Sequence, residues 1–223
     1  MINLKIADLF TLANLAAGFS AILTQDIRLA AGLIVLGACM DVLDGLVARW
    51  MNQTSELGKQ LDSLADMVTF GVAPAVLFLH LFPGEWMVLP IATVIPIFSA
   101  WRLATFNLLP SQPHFVGLPT PANAAWYVGL ALWVQDPPFD GTTSACYPVL
   151  AVITILLGLL MVSPVIFPSI KSGKALRTSL PEVLAAGVGM IAAWILGWPT
   201  LALSAGMFLF IAVVCLKFLL RKG

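Results

Sequence analysis

The chain has 223 residues, 60% of them hydrophobic and 10% charged, so its polar surface is far too small to cover a soluble globule and a lipid bilayer is its expected environment. Eleven basic and eleven acidic residues cancel to a net charge of zero, and no basic run with interleaved aromatics occurs, which excludes a nucleic-acid partner. The three cysteines, Cys39, Cys146 and Cys215, have no short mutual spacing; this argues against a disulfide framework or a zinc site, and they read as packing residues.

The N-terminal stretch MINLKIADLF passes into an apolar run with no small-residue cleavage site behind it, so the first helix is expected to be retained. A spanning helix needs about 20 largely apolar residues. Eight runs qualify, at roughly 8–25, 29–50, 57–82, 86–108, 120–135, 146–168, 180–196 and 198–219, separated by breaks rich in Pro, Gly and charge. They predict an all-α, polytopic membrane helical bundle of about eight transmembrane helices, in which the short seventh run is the candidate for a re-entrant segment. Trp50, Trp86 and Trp198 suit interfacial belts. With the N-terminus inside, ten of the eleven basic residues fall on the cytoplasmic face and only Arg28 on the other. Both termini are therefore expected in the cytoplasm, in a cytoplasmic (inner) membrane protein. The chain reads as one domain, 1–223, with a core over 1–170 and an extra C-terminal helical hairpin over 180–220.

Most acidic residues, namely Asp8, Asp26, Glu85, Asp136, Asp140 and Glu182, lie in breaks or near run ends and read as solvated charges. Four do not. Asp41 and Asp44 are three apart at the end of the second run, and Asp62 and Asp66 are four apart in the third, so each pair shares one helix face. The short 51–56 turn brings both pairs to similar depth near the cytoplasmic side. Four carboxylates near hydrocarbon repel one another and cost several kcal/mol each to desolvate, so they need protons, basic partners or a cation. Arg49 and Lys59 would satisfy at most two of them. Oxygen-only donors point to Mg²⁺, Mn²⁺ or Ca²⁺ and away from zinc or copper. Gly45 and Gly58 beside the carboxylates cost roughly 1 kcal/mol each in a helix relative to alanine, and they allow close approach of either a neighbouring helix or a flat ligand group. Ala48 extends the small-residue strip.

Residues 41–66 read DVLDGLVARWMNQTSELGKQLDSLAD, which resembles the signature of the CDP-alcohol phosphotransferase family, DxxDGxxAR followed after eight residues by GxxxDxxxD, with every fixed position filled. Within it, TLANLAAGF (11–19), LDSLADMVTFGVAPA (61–75), RLATFN (102–107), FVGLPTPANAA (115–125) and LMVSPVIFPSIK (160–171) are most similar to the phosphatidylserine synthases, which join CDP-diacylglycerol and L-serine and release CMP. RLATFN departs from the pattern by carrying Thr105 where a second arginine is usual.

The resemblance implies that Asp41, Asp44 and Asp62 bind metal and through it the diphosphate, and that Asp66 completes a second metal position and is the catalytic base. It also sets Gly45 and Ala48 against the cytidine, Arg49 near the phosphates and Gly58 at the helix contact beside the nucleotide, in a homodimer. For a serine acceptor, Arg102 is the candidate carboxylate partner; the alternative is an orientation anchor at a helix end. Thr11 and Asn14 either hydrogen-bond the ligand or a neighbouring helix, and Thr120 has a candidate acceptor-side role. Lys171, with Lys174 and Arg177, suits phosphate or lipid headgroups, or orientation alone. His114 reads as an exposed loop residue. Two alternatives stay open: another acceptor (glycerol phosphate, inositol phosphate) or an archaeal ether-lipid donor, and, in a different class, an ion or metal transporter using the aspartates.

Overall fold

The computed structural model describes residues 5–51, 55–84, 86–108, 115–135 and 143–167. Six helices occur among them: α1 (Ile6–Leu23), α2 (Ile27–Trp50), α3 (Glu56–Leu81), α4 (Val88–Leu108), α5 (Thr120–Val134) and α6 (Thr143–Met161). By length and composition, α1 to α4 are long and apolar enough to cross a membrane, and Cys146–Met161 is a shorter apolar helix. The 15 residues of α5 rise about 22 Å, less than a hydrocarbon core of about 30 Å. The runs at 180–196 and 198–219 lie outside the described residues, as do His114, Lys171, Lys174, Arg177, Trp198 and Cys215.

Each helix follows from local sequence. Asp26 caps α2 by accepting the N–H groups of Arg28 (2.9 Å) and Leu29 (3.1 Å), and Ser55 caps α3 by accepting that of Gly58 (3.0 Å). Helix α1 buries a small-residue face, Ala7, Ala17, Gly18 and Ala21, against α2, which presents Ala30, Ala31, Ile34 and Gly37. Small faces let two membrane helices approach closely.

Helix α3 is not uniform. It is α-helical over Glu56–Asp66 and Ala73–Leu81, and π-helical over Met67–Val72, where the Ala73 N–H reaches back to the Val68 carbonyl. Pro74 accounts for this physically: it has no N–H for the Phe70 carbonyl and its ring crowds the preceding turn, a conflict that widening the helix relieves. The π segment sits at the centre of the bundle, touching α1, α2, α4 and α5.

The core lies on the far side of that segment from the carboxylates. Phe78 packs on Phe82 and edge-on to Tyr127 at 5.8 Å between centroids, and Phe82 meets Tyr147 at 5.2 Å, tying α3 to α5 and α6. One feature is absent from the sequence reading. Phe115 and Val116 pair antiparallel with Phe167 and Ile166 in a two-residue ladder, which fastens the segment before α5 to the segment after α6. Beyond it, Gly117 adopts φ +76° and donates its N–H to the Val165 carbonyl at 2.8 Å.

Candidate metal centre

Helix α2 ends at Trp50, and Ser55 caps the start of α3. Asp41 on α2 and Asp62 and Asp66 on α3 each offer a carboxylate oxygen, all within 4.8 Å of one another. Asp66 is buried, while Asp41 and Asp62 are half-buried. That span is on the order of the distance across the oxygen shell of a hard divalent cation, roughly 4 to 5 Å. The donor set is all oxygen and all anionic, which fits Mg²⁺, Mn²⁺ or Ca²⁺.

Asp44, the fourth carboxylate, stands beside this trio, where its Oδ2 accepts the Thr11 hydroxyl at 2.7 Å. Asn14, one turn further along α1, donates Nδ2 to Asp66 Oδ1 at 3.3 Å. Thr11 and Asn14 thus bond neighbouring helices, and do so through the carboxylates themselves. A bond to an ionised group contributes about 1.5–3 kcal/mol, more than a neutral pair.

The same face of α1 overturns one expectation. Asp8, read as a solvated charge, is only 3% exposed. Its Oδ2 accepts the Lys5 N–H at 2.9 Å, and its Oδ1 would lie 3.1 Å from a Cβ placed on Gly58. Burial follows from its place in the first turn of α1, packed against the start of α3. The signal in the sequence is the spacing 8, 11, 14, which sets Asp8, Thr11 and Asn14 on one helix face.

The two glycines beside the carboxylates differ. No heavy atom lies within 4 Å of a Cβ placed on Gly45, so the space before it is open, whereas Gly58 is in contact with Asp8 and Ser55. Ala48 is half-buried and Arg49 exposed; the Arg49 Nε donates to the Gly45 carbonyl at 2.8 Å. Lys59 donates to the Asn107 carbonyl at 3.1 Å.

Behind the trio, Thr69 in the π segment is fully buried and donates its hydroxyl to the Asn14 carbonyl at 3.0 Å. Gly18 of α1 and Gly37 of α2 close on it: a Cβ on Gly18 would collide with Thr69 Oγ1, and one on Gly37 would sit 2.5 Å from Thr69 Cγ2 and 2.9 Å from Asn14 Oδ1. Gly37, Asp41 and Asp44 share a face of α2, so this three-helix junction fixes where the carboxylates stand.

Arg102 approaches from α4. It is 8% exposed, its Nη1 donates to Thr120 Oγ1 at 3.3 Å, its Nε has no partner, and Asp66 is close enough for their charges to interact. The guanidinium also lies over the Phe106 ring at 5.8 Å from its centroid, and its burial makes it more than a surface anchor.

An apolar groove of about 620 Å³ runs between α2 and α5, with Phe70 at its floor and Val42 and Leu43 at the carboxylate end. Cys39 lines it and is exposed, so it is not the interior packing residue expected.

A family model described as CDP-alcohol phosphatidyltransferase matches residues 4–219. The chain is 36% identical over 165 residues to the CDP-diacylglycerol--serine O-phosphatidyltransferase of Methanocaldococcus jannaschii, covering 74% of each. It is 36% identical over 177 residues to the protein of the same name from Helicobacter pylori strain 26695, covering 75% of this chain and 73% of the relative. Against the one from Bacillus subtilis it is 34% identical over 173 residues, covering 75% of this chain and 92% of the relative.

Proposed function

This chain belongs to the CDP-alcohol phosphatidyltransferase family, and from that premise we propose that it transfers the phosphatidyl group from CDP-diacylglycerol to L-serine, giving phosphatidylserine and CMP. Membership makes it an integral membrane, phospholipid-synthesising enzyme, not an ion or metal transporter. The observation that carries the chemistry is the convergence of Asp41, Asp62 and Asp66.

The family uses a divalent metal, and Asp41, Asp44, Asp62 and Asp66 are the residues we assign to hold Mg²⁺ or Mn²⁺, Asp66 being the one that would complete a second metal position. A divalent cation there supplies charge neutralisation for a diphosphate and its leaving group. The protein's own groups do the rest. Gly45, which leaves open space, and Ala48 receive the cytidine, with Gly58 flanking it and the exposed Arg49 placed near the phosphates. Thr11 and Asn14 hold Asp44 and Asp66 in place. The groove takes the donor's acyl chains, since an apolar lining that includes Val42 and Leu43, which lie between Asp41 and Asp44 in the chain, matches a molecule with lipid tails and a charged head.

The serine hydroxyl attacks the lipid-side phosphorus in line, Asp66 accepts its proton, and CMP departs. Arg102, buried beside Asp66, pairs with the serine carboxylate, and Thr120 orients that guanidinium. Serine is favoured over a phosphorylated acceptor because Arg102 is the buried basic residue we find beside Asp66 among the described residues. The names of the relatives support the same acceptor. The apolar runs support eight spans, and the lysine and arginine distribution supports cytoplasmic termini and an active site facing the cytoplasm of an inner membrane. A homodimer and headgroup contacts at Lys171 complete the proposal.

Purified protein supplied with CDP-diacylglycerol, Mn²⁺ and radiolabelled L-serine should produce labelled phospholipid and equimolar CMP. Label incorporated from glycerol 3-phosphate or inositol phosphate in place of serine would sink the acceptor assignment and leave the family chemistry standing.

A further inference from the structure

We propose that Ser99 and Asn123 are acceptor-specificity residues that bind the ammonium group of an amino-acid acceptor, one helical turn below the Arg102 that binds its carboxylate. This rests on the serine reading and adds what would read the second charge of that substrate.

Ser99 is fully buried and Asn123 is 1% exposed, yet Ser99 Oγ and Asn123 Oδ1 have no hydrogen-bond partner. Inside a bilayer no bulk water reaches such atoms, and buried polar groups are almost always paired, so an unpaired oxygen on each of the two helices joined by the Arg102–Thr120 bond calls for a ligand.

Their placement ties them to the acceptor side. Ser99 lies three residues before Arg102 on α4, and Asn123 three residues after Thr120 on α5, so each shares a helix face with a member of the Arg102–Thr120 pair. The end of α4 and the start of α5 meet at that pair, and three residues back along α4 or forward along α5 is a rise of about 4.5 Å from it. The π segment of α3 packs closely on Ser99, since a Cβ on Gly71 would lie 3.1 Å from Ser99 Cβ. Asp66 stands just ahead of that segment on the same helix.

The chemistry of the set is complementary to a zwitterion. Arg102 is a donor only and takes a carboxylate; an ammonium has three donors and no acceptor, and needs oxygens such as Asn123 Oδ1 and Ser99 Oγ. A sugar phosphate would bring no cation to these two atoms.

The test measures KM for L-serine and for CDP-diacylglycerol in full-length wild type, Asn123→Leu and Ser99→Ala, with 3-hydroxypropionate, which lacks the ammonium, as a competitive inhibitor. Asn123→Leu should raise the serine KM at least tenfold and Ser99→Ala, which removes a single oxygen, at least threefold. The CDP-diacylglycerol KM and the 3-hydroxypropionate inhibition constant should stay within twofold. Wild-type turnover of serine with an unchanged serine KM in both variants, or a parallel rise for serine and 3-hydroxypropionate, would overturn the ammonium site alone. Wild-type protein that accepts only phosphorylated alcohols would overturn the serine reading and this site together.

Discussion

Replacing Gly37 by alanine places a methyl group 2.5 Å from Thr69 Cγ2 and 2.9 Å from Asn14 Oδ1. Carbon pairs prefer about 3.5–4.0 Å, so the overlap is about 1 to 1.5 Å. Thr69 cannot simply turn away, because its hydroxyl is bonded to the Asn14 carbonyl and its branched side chain has few rotamers. Helix α2 must therefore back off by about an ångström, at an overpacking cost of about 1–3 kcal/mol. Asp41 lies one turn along the same face and moves with it, away from Asp62 and Asp66. A misplacement of about 1 Å at reacting groups costs on the order of 10²-fold in rate. The expected result for Gly37→Ala is thus a loss of that order in CMP release from CDP-diacylglycerol, with a higher Mn²⁺ requirement. Adding Thr69→Ser removes the offending Cγ2 while keeping the hydroxyl, and should recover roughly tenfold. A Gly37→Ala enzyme within twofold of wild type, or a double variant no better than the single one, would refute the claim that the junction positions the carboxylates.

Asp66→Asn should abolish turnover while leaving part of the binding of CDP-diacylglycerol, measured by retention of labelled CDP-lipid on the immobilised protein; full activity would remove Asp66 as the base. Arg102→Leu should raise the serine KM by at least tenfold, since a buried charge-assisted contact is lost, with little change in the KM for CDP-diacylglycerol. Gly117→Ala combines a left-handed backbone with a Cβ driven into the Met161 carbonyl, so it should lower stability by more than about 1 kcal/mol, read as an earlier thermal unfolding midpoint in detergent.

The helices and the site were not equally legible. The apolar runs over the first four helices are legible because a 20-residue hydrocarbon requirement leaves few choices, and the Asp41, Asp44, Asp62 and Asp66 spacings alone put each carboxylate pair on one face of its helix. The π segment is not legible from period alone, which cannot see a register change; Pro74, sitting mid-run, is its one local signal. Asp8 reads as solvated because it lies near a run end, where charge is ordinarily exposed, and its burial depends on packing against Gly58 on a different helix. Ser99 and Asn123 gave no warning, since a serine or asparagine in an apolar run is ordinarily satisfied by a neighbouring backbone. The pairing of Phe115 and Val116 with residues some fifty positions later is a tertiary contact that no local pattern announces.

The most direct measurement is Mn²⁺ binding to the purified, chelator-stripped enzyme, followed by electron paramagnetic resonance alongside CMP release. Wild type should take up Mn²⁺ and regain activity in step with occupancy, while Asp41→Asn and Asp62→Asn should bind it far more weakly. Full turnover by the stripped protein, or equal Mn²⁺ uptake by wild type and both variants, would contradict a metal centre built from these carboxylates.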